Sequence, residues 1–166
     1  MRPTCKTRFA RLATIAVTAT ALACGTTLPA SADTPFSALA GSWSGSGQIR
    51  LDNGSSEQLS CKALYNPKES GATLGMSLRC ASQSYKIELR STLAYEGGRV
   101  TGSWEERTFN AGGEVTGRAS AGAINLVFSG NVSGSLSVTF GGSNQRVALT
   151  TKGSGLAGLS LNLSKG

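Results

Sequence analysis

Between Ser84 and Glu106 apolar and polar side chains alternate. Tyr85, Ile87, Leu89, Leu93 and Tyr95 share one parity, and Lys86, Glu88, Arg90 and Thr92 share the other. A period of two is that of a strand with one buried and one wetted face. Gly97-Gly98 supplies two residues that accept positive φ, as a tight hairpin turn requires. With those glycines at the turn, Tyr95 faces Val100, Leu93 faces Gly102 and Ser91 faces Trp104. Apolar positions then meet across the pair, and a slip of one residue would send each side chain to the wrong face.

The same reading extends in both directions. From Gly41 to Leu51, Trp43, Gly45, Gly47, Ile49 and Leu51 share a face opposite Ser44, Ser46, Gln48 and Arg50. Glycines on the inner parity predict a bent strand or a close approach of neighbouring backbone. Asp52-Asn53-Gly54 is a turn. Leu59, Cys61, Ala63 and Tyr65 alternate next, Asn66-Pro67 to Gly71 predicts a break, and Leu74, Met76, Leu78 and Cys80 resume the inward set. Aligning Tyr65 with Met76 places Ala63 opposite Leu78 and Cys61 opposite Cys80, so apolar parity and cysteine position agree on one register.

Further on, a turn is expected from Thr108 to Gly113 and a short strand from Glu114 to Ser120. Ile124, Leu126 and Phe128 alternate, then Leu136, Val138 and Phe140, then Val147 and Leu149. Lys152 to Gly158 reads as a glycine-rich link ahead of Leu159, Leu161 and Leu163. Before the first strand, Thr34 is a candidate cap and Pro35 suits a first helical position. Phe36 to Ala40 is expected to form a short turn that ends at Gly41 and plugs or flanks one end of the domain. The expected fold is all-β: an antiparallel up-and-down meander of about 8–10 strands that closes into a small barrel and so removes its edges. A two-sheet sandwich is the alternative.

Charge and cysteine content change the picture once the first 32 residues are set aside. Residues 1–32 carry Arg2, Lys6, Arg8 and Arg11, an apolar stretch from Leu12 to Ala23, and Ala30-Ser31-Ala32. That is the pattern of a secretory signal peptide cleaved before Asp33, leaving residues 33–166 as one domain. The alternative is a lipoprotein acylated at Cys24, which would tether the same domain to a membrane. The expected location is periplasmic or secreted in either case. The remaining chain holds 12 basic and 9 acidic residues, a net +3, which is no nucleic-acid footprint. There is no histidine, so a Ser-His-Asp triad, a Cys-His dyad and a His-ligated metal site are excluded. In an oxidising compartment, Cys61 and Cys80 are expected to form a disulfide.

Phe36 to Ala40 followed by Gly41-Ser42-Trp43 resembles the opening of the lipocalin and avidin group of barrels, a helical turn and then G-x-W on the first strand. The resemblance implies a basic residue near the last strand covering the tryptophan at the closed end. Lys165 is the counterpart, where arginine is more usual. Most of the chain, including Leu78-Arg79-Cys80-Ala81-Ser82 and Gly102-Ser103-Trp104-Glu105-Glu106, resembles a group of uncharacterised small exported bacterial β proteins and inherits no activity from them.

Six residues are candidates for an interior ligand site. Trp43 and Trp104 would be apolar walls, although buried aromatics are commonly core alone. Tyr65, Tyr85 and Tyr95 would offer phenols to a bound molecule or reach solvent at a rim. Glu106 continues an inward parity and would be a candidate acid, but no second carboxylate stands at hydrolase spacing, and Arg107 is an adjacent partner. The expected function is therefore non-enzymatic, with no metal and no cofactor. A barrel of this strand number leaves room for a small apolar or amphipathic ligand. The alternative is an envelope interaction protein or a protease-inhibitor-like module, with the segment Asp33 to Ala40 as an inserting arm. A filled interior would favour that alternative and an open cavity the ligand reading.

Overall fold

The structure is a computed structural model and describes residues 34–152 and 154–166. The expected signal peptide, its cleavage site, Cys5 and Cys24 lie outside the described residues. A short helix, α1 (Pro35–Leu39), precedes ten strands: β1 (Gly41–Leu51), β2 (Ser56–Lys68), β3 (Thr73–Ala81), β4 (Lys86–Glu96), β5 (Arg99–Glu106), β6 (Ala111–Ser120), β7 (Ala123–Gly130), β8 (Ser133–Gly141), β9 (Asn144–Lys152) and β10 (Leu156–Lys165). Each strand pairs antiparallel with its neighbour in sequence, and β1 pairs with β10, so the sheet closes as a barrel. Closure rules out the two-sheet alternative and gives every strand two partners.

The registers follow the apolar pattern. Tyr95 pairs with Val100, Leu93 with Gly102 and Ser91 with Trp104. Tyr65 pairs with Met76, Ala63 with Leu78 and Cys61 with Cys80. The two cysteines are bridged, with Cα atoms 4.1 Å apart. Leu59, Leu93, Val100, Val115, Leu126 and Leu161 are buried in the interior, while Lys62, Arg79, Lys86 and Arg90 are exposed. Gly45 and Gly47 show why glycine occupies inner positions of β1. A Cβ on either would run into the backbone carbonyls of Asn162 and Ser160 on β10. Bare backbone there lets the two strands coil tightly against each other.

α1 closes one end. Pro35 takes the first helical turn, and Phe36 and Leu39 are fully buried. Thr34 does not cap the helix backbone as expected; its hydroxyl instead meets that of Ser37 at 3.0 Å. The two hydroxyls lie against the 3-10 turn Glu69–Gly71, where a Cβ on Gly71 would collide with both. Gly71 also has φ +86, so two independent constraints hold that position to glycine.

Three boundaries differ from the sequence expectation. β2 continues through Pro67 to Lys68, because β1 pairs only as far as Tyr65 and beyond it one edge of β2 is free. A proline costs no ladder bond at such an edge. β6 begins at Ala111 rather than Glu114, with Gly112 and Gly113 paired to Glu105 and Trp104. β10 begins at Leu156, inside the link expected from Lys152 to Gly158. Glycine shows no apolar parity, so ladders running through it read as loops.

Candidate functional site

The ten strands enclose a cavity of about 440 Å³. That volume lies within the range of about 300–1,000 Å³ typical of small-molecule sites. Its floor is Leu39 of α1 together with Tyr65 and Gln145. Its mouth lies among the loops at the opposite end, beside Phe109, Asn131 and Leu156. Met76, Leu78, Ile87, Leu89, Leu136 and Leu149 point inward by parity yet are only half-buried, because they border this space and not other side chains.

Polar groups at the floor satisfy one another. Gln145 Nε2 donates to the Tyr65 hydroxyl at 2.8 Å, and that hydroxyl lies 3.2 Å from Gln145 Oε1. Burial pushes the Tyr65 phenol up to about 12, while its bond to Gln145 acts in the opposite direction. Beneath this pair, Trp43 packs edge-on to Tyr65 at 6.4 Å between ring centroids. Trp43 donates through Nε1 to the Leu39 carbonyl at 2.7 Å, which ties β1 to α1. The Lys165 ammonium stands 5.6 Å from the Trp43 ring centroid and donates to the Ala38 carbonyl at 3.4 Å. Lys165 thus covers Trp43 at the closed end.

At the mouth, Glu106 ends β5 facing inward and is buried. One carboxylate oxygen accepts from the Glu88 backbone N–H and the other from that of Phe109, both at 2.7 Å. The carboxylate is held by these amides rather than by Arg107, the partner the sequence suggests. It pins the turn that carries Phe109, whose ring is 60% exposed at the cavity entrance. Trp104 forms part of the wall, edge-on to Phe128 at 5.5 Å, with Nε1 donating to the Ser129 carbonyl at 3.2 Å.

Of the six candidate residues, Tyr65, Tyr85, Trp104 and Glu106 line the cavity. Trp43 and Tyr95 share the inward parity but not the cavity. Trp43 is sealed beneath α1, and Tyr95 packs against Phe36 with ring centroids 5.8 Å apart. The helix occupies the space these two rings would otherwise face. Gln145 and Phe109 were not singled out in the sequence. Gln145 was within reach, since the parity of Val147 and Leu149 carried two residues back reaches it; Phe109 sits in a turn, where parity is silent. Glu106 is the sole carboxylate among the described residues that line the cavity, so no second carboxylate stands beside it there. Among the described residues, no group of three His, Cys, Asp or Glu side chains gathers to hold a metal ion.

No protein-family model and no curated protein matches the sequence. Solved structures do match the fold. Rv2717c from M. tuberculosis superimposes with a TM-score of 0.62 at 14% identity, over 78% of this chain and 94% of its own. The S-type phycobiliprotein lyase CPES from Guillardia theta superimposes with a TM-score of 0.55 at 15% identity, over 79% of this chain and 90% of its own. At such identities the likeness extends to the fold alone: this chain is an all-β, ten-stranded closed barrel.

Proposed function

We propose that this protein is an exported barrel that binds a small apolar or amphipathic molecule in its interior and does no chemistry on it. The observation that carries the reading is the unfilled interior: about 440 Å³ bordered by half-buried aliphatic and aromatic side chains, with a mouth among exposed loops. Leaving such surface uncovered forgoes packing energy, which a bound apolar molecule restores. Export is supported by the Cys61–Cys80 bridge, since such bonds persist in oxidising compartments. The absence of catalysis is supported by Glu106, whose two oxygens are both engaged by backbone amides. The interaction-protein alternative loses its proposed inserting arm, because Phe36 and Leu39 are buried in the protein's own barrel end.

The test is displacement of the fluorophore N-phenylnaphthylamine, with thermal melts run in parallel. The wild-type protein is expected to bind the fluorophore and to release it to medium-chain apolar competitors. Leu89→Trp, which projects a larger ring into the cavity, is expected to fold and to lose binding. A wild-type protein that binds neither fluorophore nor competitor, with no shift in melting temperature, would refute the proposal.

A further inference from the structure

Every lysine and arginine among the described residues is exposed, and none of them borders the cavity. Strict alternation produces this: on β4 the cations Lys86 and Arg90 take the outer parity while Ile87 and Leu89 take the inner one. The polar groups on the wall are neutral amides, hydroxyls and an indole, with one exception. That exception is Glu106, at the mouth. Its two oxygens accept from the Glu88 and Phe109 backbone amides, which are neutral donors, so the carboxylate is bonded but its charge is not cancelled. Arg107, next in sequence, is exposed and does not border the cavity. In a wall of low dielectric a unit charge acts over several ångströms and needs no contact with the occupant. The interior therefore carries a field of one sign, with no cation on its wall to receive an anionic head.

We infer that the barrel selects its occupant by charge: it takes an uncharged molecule, an apolar body with a neutral head such as an alcohol or ester, and rejects amphiphiles headed by a carboxylate. This rests on the interior being a ligand site. A carboxylate head has two places to go. At the floor it would lie among aliphatic side chains, where Tyr65 and Gln145 already bond each other. There it would lose its water and gain no partner. At the mouth it would stand beside Glu106, a like charge. An ammonium head also loses water, but Glu106 attracts it, so it ranks between the neutral head and the anion. Glu106 is thus a specificity-determining residue that acts through its charge.

The experiment displaces N-phenylnaphthylamine with decanol, decylamine and decanoate at neutral pH and low salt, each below its micellar concentration, from wild type, Glu106→Gln and Phe109→Arg. The readout is the ratio of dissociation constants within each protein, which cancels effects on cavity size and overall stability. Wild type is expected to bind decanol tightest and decanoate weakest, with decylamine ahead of decanoate by roughly tenfold. Both ions are single charges on the same chain, so their difference reports the sign of the field and not hydrophobicity. Glu106→Gln removes the charge and is expected to bring that ratio close to one. Phe109→Arg replaces a ring that is already exposed and supplies the missing cation at the mouth. It is expected to improve decanoate relative to decanol by roughly tenfold, and it serves alone if Glu106→Gln does not fold. Decanoate binding as tightly as decanol in wild type overturns the inference, as does decylamine binding tighter than decanol, or ratios that neither variant moves; in each of these cases displacement by decanol leaves the cavity reading standing. Failure of every competitor in the wild type overturns both.

Discussion

Replacing Tyr65 by phenylalanine removes one hydroxyl from the barrel floor and leaves Gln145, only 3% exposed, with an unpaired amide. A buried polar group left unsatisfied costs about 1–3 kcal/mol, so near neutral pH the variant is expected to be less stable by about 2 kcal/mol. Raising the pH tests the cause. The phenol ionises near 10.0 in an exposed setting and near about 12 in the folded barrel, where burial disfavours the charged form. Across that window the unfolded chain holds fewer protons than the folded one. The stability contributed by the neutral phenol is fully present below pH 10.0 and is lost as pH rises toward about 12. Two units correspond to about 3 kcal/mol, which the wild type loses and the variant cannot. Urea unfolding of both proteins from neutral to strongly alkaline pH is expected to give curves that converge and then meet near the top of the window. Parallel curves throughout would mean that the Tyr65 phenol reaches water, and the account of the closed floor would fail.

Two further perturbations separate structural from binding roles. Cys61→Ser opens a loop spanning 19 positions in sequence and is expected to cost about 3 kcal/mol, read as a lower urea midpoint; fluorophore binding is expected to persist because neither cysteine borders the cavity, and an unchanged midpoint would refute the bridge. Glu106→Gln replaces one of two accepting oxygens with an N–H donor, so hydrogen exchange at the Glu88 and Phe109 amides is expected to accelerate and stability to fall by about 1–3 kcal/mol. Unaltered protection at both amides would show that the carboxylate does not anchor the turn at the mouth.

What the sequence determined by itself was local. Side-chain parity is set by backbone geometry two residues at a time, so the inward faces of most strands, the Gly97-Gly98 hairpin and the Cys61–Cys80 register were all legible. It was silent where residues carry no parity: Gly112 and Gly113 read as a turn but extend β6, and Pro67 reads as a break but lies on a free edge of β2. The tertiary structure alone decided closure, because whether β1 meets β10 depends on twist and stagger accumulated over ten strands. It alone decided which inward residues border empty space. Trp43 and Tyr65 share a parity, yet α1 seals the first and leaves the second on the cavity floor, paired with Gln145 across 80 positions of chain. A cavity is the difference between the volume a barrel encloses and the volume its side chains fill, and no stretch of chain carries that difference on its own.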